Sequence, residues 1–280
     1  MYSSLIKTRL AWLTTLLHDT RLYPTGSCTH FGDNEKMTVR QSRIYTSQPL
    51  FSADSVELTG SASHYLSRVL RLTAGHSIVL FNGDGRDYSA EIREIQRQRV
   101  LARLVGSQVA GNESDLNITL VQAISRGERM DYSLQKATEL GVVCIQPVTS
   151  SRVEVRLNED RMAKRLAHWQ GVVVSACEQS GRAVVPEVRE PLSLAHWMAV
   201  TDESPRWVLD PTADSKLSSI AITGNAISIL VGAEGGFSAG EIEEVRANGV
   251  SAVSLGPRIL RTETAGPAAI AVLQAIAGDL

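Results

Sequence analysis

Three cysteines among 280 residues, Cys28, Cys144 and Cys177, leave little material for a covalent framework. They lie far apart and form no C-x-x-C pair, which argues against a disulfide scaffold or a zinc site and fits a reducing compartment. No apolar run approaches the roughly 20 residues needed to span a bilayer, so no membrane partner is expected and a cytoplasmic location is. His64, His76, His168 and His196 are scattered without ligand spacing, and no metal is expected. Neither G-x-G-x-x-G nor G-x-x-x-x-G-K-[ST] occurs, which disfavours a dinucleotide-dependent oxidoreductase. Aromatic residues make up 5% of the chain, and Trp169 and Trp197 read as core residues rather than base-stacking platforms. The net charge of −2 gives no global electrostatic sign of a nucleic-acid partner.

What the chain does have is an ordinary globular composition, 43% apolar and 21% charged, and enough length for one or two domains with a sizeable core. Charge is unevenly spread. Residues 43–111 carry eight basic side chains, all arginine, against six acidic ones, whereas residues 112–280 carry fifteen against twenty-one. Arginine suits phosphate forks and base stacking; a solvated face of a small β domain accounts for the same composition. Residues 1–42 read as an N-terminal extension, with a natural start expected at Met37.

From Arg43 to Gly111 the pattern is that of a small, mostly β domain. Ser63 is expected to cap a short helix with Tyr65, Leu66, Val69 and Leu70 on one face. Ser77–Phe81 and Tyr88–Ile95 read as strands about the turn Asn82–Gly85, and Val100–Val105 as a third strand. A polar linker at residues 111–115 follows. From residue 116 to 280 strands alternate with helices: strand Leu116–Ala123, helix Glu128–Leu140, strand Val142–Val148, helix Arg161–Gln179, strand Arg206–Asp210. That alternation means an α/β domain with a mainly parallel sheet.

The last fifty residues are the most informative. Ile227, Ile229, Leu230 and Val231 form a buried-strand run, followed by Gly232, Gly235 and Gly236. Ser238 stands three residues before Glu241, a capping-box spacing that starts a helix ending near Gly249. A second apolar run, Val250–Leu255, ends in Gly256-Pro257 and the polar string Arg258–Thr264. Two neighbouring strands that each end in a glycine-bearing loop make a crevice at the carboxyl edge of a parallel sheet, where open α/β folds place ligands. Glu234 and Arg261 are charges inside these loops with no evident packing role. Pro267 makes the start of the final helix uncertain.

These residues carry a resemblance. GAEGGFSAGEIE and LGPRILRTETA, together with RIYTSQPL at Arg43–Leu50, SRGERMDYSLQKATELGV at Ser125–Val142 and ACEQSGR at Ala176–Arg182, resemble the RsmE family of the SPOUT class of RNA methyltransferases. The likeness runs from Arg43 to Leu280. It implies a trefoil-knotted SPOUT methyltransferase domain preceded by a PUA-like RNA-binding β domain. It further implies methylation of uridine N3 in 16S ribosomal RNA of the small subunit, S-adenosylmethionine as cofactor, and a homodimer. A SPOUT enzyme acting elsewhere, such as on a ribose 2′-hydroxyl, and a non-catalytic RNA-binding assembly factor are the alternatives.

For the cofactor the resemblance implies Leu209, the loop of Gly232, Glu234, Gly235 and Gly236, and the loop of Leu255, Gly256 and Leu260. For RNA, Arg68, Arg71 and Arg86 are candidates in the β domain, and Arg126, Arg129 and Arg182 in the α/β domain. Arg261 is the candidate for stabilising a developing uracil anion. Glu178 and Glu263 are candidate bases, although a carboxylate beside arginine is a weakened base.

Overall fold

A computed structural model describes residues 41–152, 159–200 and 204–280. The expectations for the first 36 residues, with the start at Met37, lie outside the described residues.

Strands β1 (Arg43–Tyr45), β2 (Ser55–Thr59), β3 (Ser77–Phe81), β4 (Arg86–Ile95) and β5 (Arg99–Val109) build a five-stranded sheet in the order β1-β3-β4-β5-β2. The pair β1/β3 is parallel and the others are antiparallel. Alternation places Ile78, Leu80, Tyr88, Ala90, Ile92, Val100 and Ala102 in one buried cluster. Register shifts between β4 and β5 at Ser89/Ala90 and Ile92/Glu94 bend the long hairpin, as bulges do. The short helix differs from expectation. It begins at Gly60 behind Thr59, and Ser63 is buried inside it. After α1 (Gly60–His64) the chain makes a π turn over Tyr65–Val69, closed by the Leu70 N–H on the Tyr65 carbonyl. The wider turn rotates the apolar stripe. Leu66 therefore points into the core, whereas Tyr65 and Val69 turn outward.

The second sheet contains β6 (Asn117–Ala123), β7 (Cys144–Thr149), β8 (Glu187–Val188), β9 (Leu192–Ser193), β10 (Arg206–Leu209), β11 (Ala226–Val231) and β12 (Ser251–Val253). Its order is β12-β10-β11-β6-β7-β8, with β9 also on β7, and every pair is parallel. Helices α2 (Glu128–Glu139), α3 (Glu159–Ser180) and α6 (Thr262–Ala277) share a core with Leu120, Ile145 and Ile229 on one face. On the other face α4 (Leu194–Ala199) and α5 (Ala239–Ala247) pack on Val121, Val208 and Leu230. Burial on both faces explains why these strands read as continuous apolar runs. Helix α6 continues through Pro267. Among the described residues no helix is long and apolar enough to cross a membrane.

Two connections position the site. After β12 the chain runs along the earlier β10–β11 connection: the Ser254 N–H donates to the Ser215 carbonyl and the Leu217 N–H to the Ser254 carbonyl, both at 2.9 Å. Helix α6 then settles over β6 and β11 against α2. The second connection joins the two sheets. Phe81 of β3 packs with Cys177 and Ala183, the Arg43 guanidinium lies 4.9 Å from the Phe81 ring centre, and the Tyr45 N–H donates to Glu178 at 3.0 Å. Gly181, at φ +89°, ends α3 in a conformation that L side chains resist.

Candidate active site

A pocket of about 420 Å³ opens at the carboxyl ends of β10, β11 and β12, a size typical of small-ligand sites. Most of its wall comes from three places, Leu209 to Pro211 after β10, Val231 to Phe237 except Gly235 after β11, and Leu255 to Glu263 except Pro257 after β12, with Arg129 and Ile242 also contributing. Aliphatic side chains such as Leu209, Val231, Ile242, Leu255 and Leu260 line it beside six charged residues, Arg129, Asp210, Glu234, Arg258, Arg261 and Glu263, and Thr262.

The loop after β11 folds tightly on itself. The Gly236 N–H donates to the Ala233 carbonyl at 2.9 Å, with Gly236 at φ +61°. A Cβ built on Gly232 would stand 3.1 Å from the Gly236 Cα and 3.4 Å from the Phe237 ring, so only glycine fits without displacing the loop. Beyond it, α5 starts with the capping box expected from sequence: Ser238 Oγ accepts from the Glu241 N–H and the Glu241 carboxylate accepts from the Ser238 N–H. Glu241 also accepts from the Ser151 N–H at 2.7 Å. Partial burial pushes its pKa up, but the bonds from Ser151 and Ser238 outweigh that and hold it below the ordinary carboxylate range.

Glu234 faces the loop between β6 and α2. Its carboxylate accepts from the Arg126 N–H and from the Arg129 guanidinium, each at 3.0 Å. Burial would raise its pKa; the hydrogen bonds from its own backbone, from Arg126 and from Arg129 prevail and lower it. Glu234 is thus a carboxylate clamp between the glycine loop and the SRGER segment. It does not pair with Arg261. Arg258 and Arg261 are exposed at the rim and make no ion pair with a described residue.

The backbone from Leu255 to Leu260 forms no hydrogen bond to a described residue, so its N–H and carbonyl groups stay available to a ligand. Arg261 is the N-cap of α6, and its carbonyl accepts from the Thr264 and Ala265 N–H groups. An apolar slot bordered by free backbone donors and acceptors suits a flat heterocycle carrying a hydrogen-bonding edge, such as a nucleoside. Among the described residues no cluster of His, Cys, Asp and Glu could hold a metal.

The structure gathers Leu209, Gly232, Glu234, Gly236, Leu255, Gly256, Leu260, Arg261 and Glu263 around this one pocket, with Arg129 at its edge. Gly235 is outside the wall; its carbonyl accepts from Arg152 at 2.6 Å. Two expectations need correction. Glu178 does not line the pocket. It is half-buried at the joint between the sheets, where burial raises its pKa despite the Tyr45 N–H and nearby Arg43. Arg182, expected to meet RNA, is 3% exposed. Its guanidinium donates to both oxygens of Glu113 and to the carbonyls of Thr138 and Val142, so it ties the linker to the end of α2. In the first sheet Arg68 and Arg71 are exposed and Arg86 is partly so, all away from the pocket.

Sequence reasoning missed Asp210 and Thr262. Asp210 lines the pocket while accepting from Thr212 and from Arg246 at 3.0 Å. Its position before Pro211 at a strand end was the available signal. Thr262 looks like any first-turn threonine until the fold brings Gly232 beside it.

A family model for the RNA methyltransferase domain matches residues 112–274, and one for the RNA methyltransferase PUA domain matches residues 58–105. Ribosomal RNA small subunit methyltransferase E of Buchnera aphidicola (from Schizaphis graminum) is 36% identical over 245 residues, covering 87% of this chain and 100% of the relative. The crystal structure of ribosomal RNA small subunit methyltransferase E from Neisseria gonorrhoeae bound to S-adenosylmethionine superposes with a TM-score of 0.80 at 41% identity, covering 86% of this chain and 99% of that one. A Legionella pneumophila protein, described as a methyltransferase and solved with bound S-adenosylmethionine, gives a TM-score of 0.83 at 38% identity over 86% of this chain and 100% of that one.

Proposed function

The chain belongs to the RNA methyltransferase family that includes ribosomal RNA small subunit methyltransferase E, and from that premise we propose that it methylates N3 of a uridine in 16S ribosomal RNA with S-adenosylmethionine as donor. The observation that carries this reading is the pocket at the ends of β10, β11 and β12, with Gly232 and Gly236 in its lining and its open backbone from Leu255 to Leu260. Those residues fit adenosine: Leu209, Leu255 and Leu260 supply apolar walls, and the adjoining main chain supplies the polar edge. When bound, S-adenosylmethionine supplies an electrophilic methyl group.

The chain's own residues then have three tasks. A target on the Watson–Crick edge must leave its stack to reach a pocket, and exposed Arg129 and Arg258 at the rim can hold the flanking phosphates. The N3 imide proton must be removed, and Glu263, which lines the pocket, is the carboxylate we assign to it. The negative charge that develops on uracil needs a cation close by. Arg261 is free of carboxylate partners among the described residues and fills that role.

We further propose a PUA-like RNA-binding domain over residues 43–111, carrying Arg68, Arg71 and Arg86, and a methyltransferase domain over residues 116–280. The protein acts as a homodimer in the cytoplasm on the small ribosomal subunit. Isothermal titration with S-adenosylmethionine, NAD and ATP in parallel tests the cofactor. Heat from S-adenosylmethionine alone supports the reading; a preference for NAD or ATP, or no binding to any, overturns it.

A further inference from the structure

Under the pocket lies a buried chain of polar groups that the methyl-transfer scheme leaves unused. Gln122, near the end of β6, has no exposed surface. Its amide nitrogen donates to the Ala123 carbonyl at 3.0 Å and to Thr262 Oγ1 at 3.1 Å, and approaches the Gly232 carbonyl at 3.5 Å. The Thr262 hydroxyl donates to the Gly232 carbonyl at 2.6 Å. Ser125 Oγ stands 3.4 Å from that hydroxyl and donates to the Ala123 carbonyl at 3.3 Å.

The orientation of each group follows from its neighbours. Gly232 offers a carbonyl, so Thr262 must be the donor there, and its oxygen is left to accept from Gln122. The Gln122 amide faces three oxygens on its nitrogen side, so rotating it would set Oε1 against two carbonyls. The result is a directional relay, Gln122 N–H to Thr262 O–H to the Gly232 carbonyl, in which each bond polarises the next. It connects the end of β6, the glycine loop after β11 and the first turn of α6. Thr262 and Gly232 both line the pocket. The relay therefore joins the two loops that both line the pocket.

We propose that Gln122 and Thr262 are positioning residues that lock the glycine loop to the start of α6 in the geometry that S-adenosylmethionine binds. This rests on the cofactor reading above. The relay holds the carbonyl of Gly232, the residue next to Ala233, whose own carbonyl closes the loop on the Gly236 N–H.

The test compares Thr262→Val, which keeps shape and loses the hydroxyl, with Thr262→Ser, which keeps the hydroxyl. Gln122→Met is the second probe. Losing one buried hydrogen bond of this kind, at about 1.4 kcal/mol per factor of ten, should weaken S-adenosylmethionine binding about 10-fold in Thr262→Val. Thr262→Ser should stay within about 2-fold of the native affinity on the same scale. Hydrogen exchange of the ligand-free protein should show faster exchange confined to residues 232–236 in Thr262→Val and Gln122→Met, and native exchange in Thr262→Ser. Variants with lowered Tm but native cofactor affinity and native exchange at 232–236 would reduce the relay to ordinary core stability and overturn the proposal. So would equal loss in Thr262→Val and Thr262→Ser. If the native protein itself fails to bind S-adenosylmethionine, the cofactor reading falls, while the exchange comparison still tests whether the relay holds the loop.

Discussion

Replacing Arg182 with methionine should destabilise the fold where the linker meets the end of α2 rather than weaken an RNA contact. In the native chain the Arg182 side chain is 4% exposed and that of its partner Glu113 is 27% exposed. Glu113 can regain water once the guanidinium is gone. Of the two carbonyls that receive an Arg182 N–H at 2.8 Å in a buried setting, that of Thr138 keeps the Gly141 N–H at 3.1 Å, whereas that of Val142 is left unpaired. One stranded carbonyl, with Glu113 rehydrated, puts the loss at about 1–3 kcal/mol. At about 2–4 °C per kcal/mol for domains of some 150–250 residues, Tm should fall by roughly 2–12 °C. Arg182→Lys should be intermediate, since one ammonium cannot span Glu113 and both carbonyls. Thermal unfolding by circular dichroism measures the loss, and fluorescence anisotropy with a ribosomal RNA fragment, well below Tm, measures RNA affinity. A variant that keeps native Tm but binds RNA weakly would refute the buried-staple account and restore Arg182 to the RNA surface.

Arg261→Ala should lower the methylation rate by about 100-fold, the scale of losing one charge-stabilising donor, while cofactor affinity by titration changes little; an unchanged rate would remove Arg261 from the mechanism. Gly232→Ala should weaken cofactor binding, because its Cβ meets the Gly236 backbone at 3.1 Å, whereas Gly235→Ala should be tolerated, its nearest neighbour being the Arg152 side chain at 3.5 Å; titration of both variants checks this order. Glu178→Gln addresses pH. Burial, the main cause, raises the Glu178 pKa above the ordinary glutamate value in the folded state, so the native state holds its proton more tightly than the unfolded chain. Its favourable contribution is complete below about pH 4.5 and is lost as pH rises through the raised value. The glutamine variant should therefore match the parent in acid and exceed it near neutrality, and urea titrations from pH 4 to pH 7 would show the opposite trend if the sign is wrong.

Much of the α/β architecture was legible because parallel strands buried on both faces leave continuous apolar runs, as at Ile227–Val231. The capping box at Ser238 and Glu241 was legible because its chemistry is local. In the β sheet the turn at Asn82–Gly85 fixed the central hairpin. The edge strands β1 and β2 were not seen: at three and five residues they owe their conformation to neighbours distant in sequence. The π turn at Tyr65–Val69 escaped for a similar reason, since a stripe drawn at the α-helical period cannot register an extra residue in one turn. At the site, the glycine loops announced themselves through residue type, and the pocket gathers nearly all of their members. Arg182 and Glu178 were misplaced because polar density at a helix end looks alike whether it faces solvent or a neighbouring sheet. Thr262 and Gln122 carry no local signature, and their partnership exists only where α6 crosses the ends of β6 and β11.

The most direct test of the central claim is nucleoside analysis by mass spectrometry after incubating small ribosomal subunits that lack the modification with this protein and isotopically labelled S-adenosylmethionine. The account predicts labelled 3-methyluridine at a single uridine of 16S ribosomal RNA, and about a hundredth as much with Arg261→Ala over the same initial interval. Label recovered on a ribose 2′-hydroxyl, or on another base, would contradict the assigned chemistry, and the absence of any transfer would contradict the enzyme.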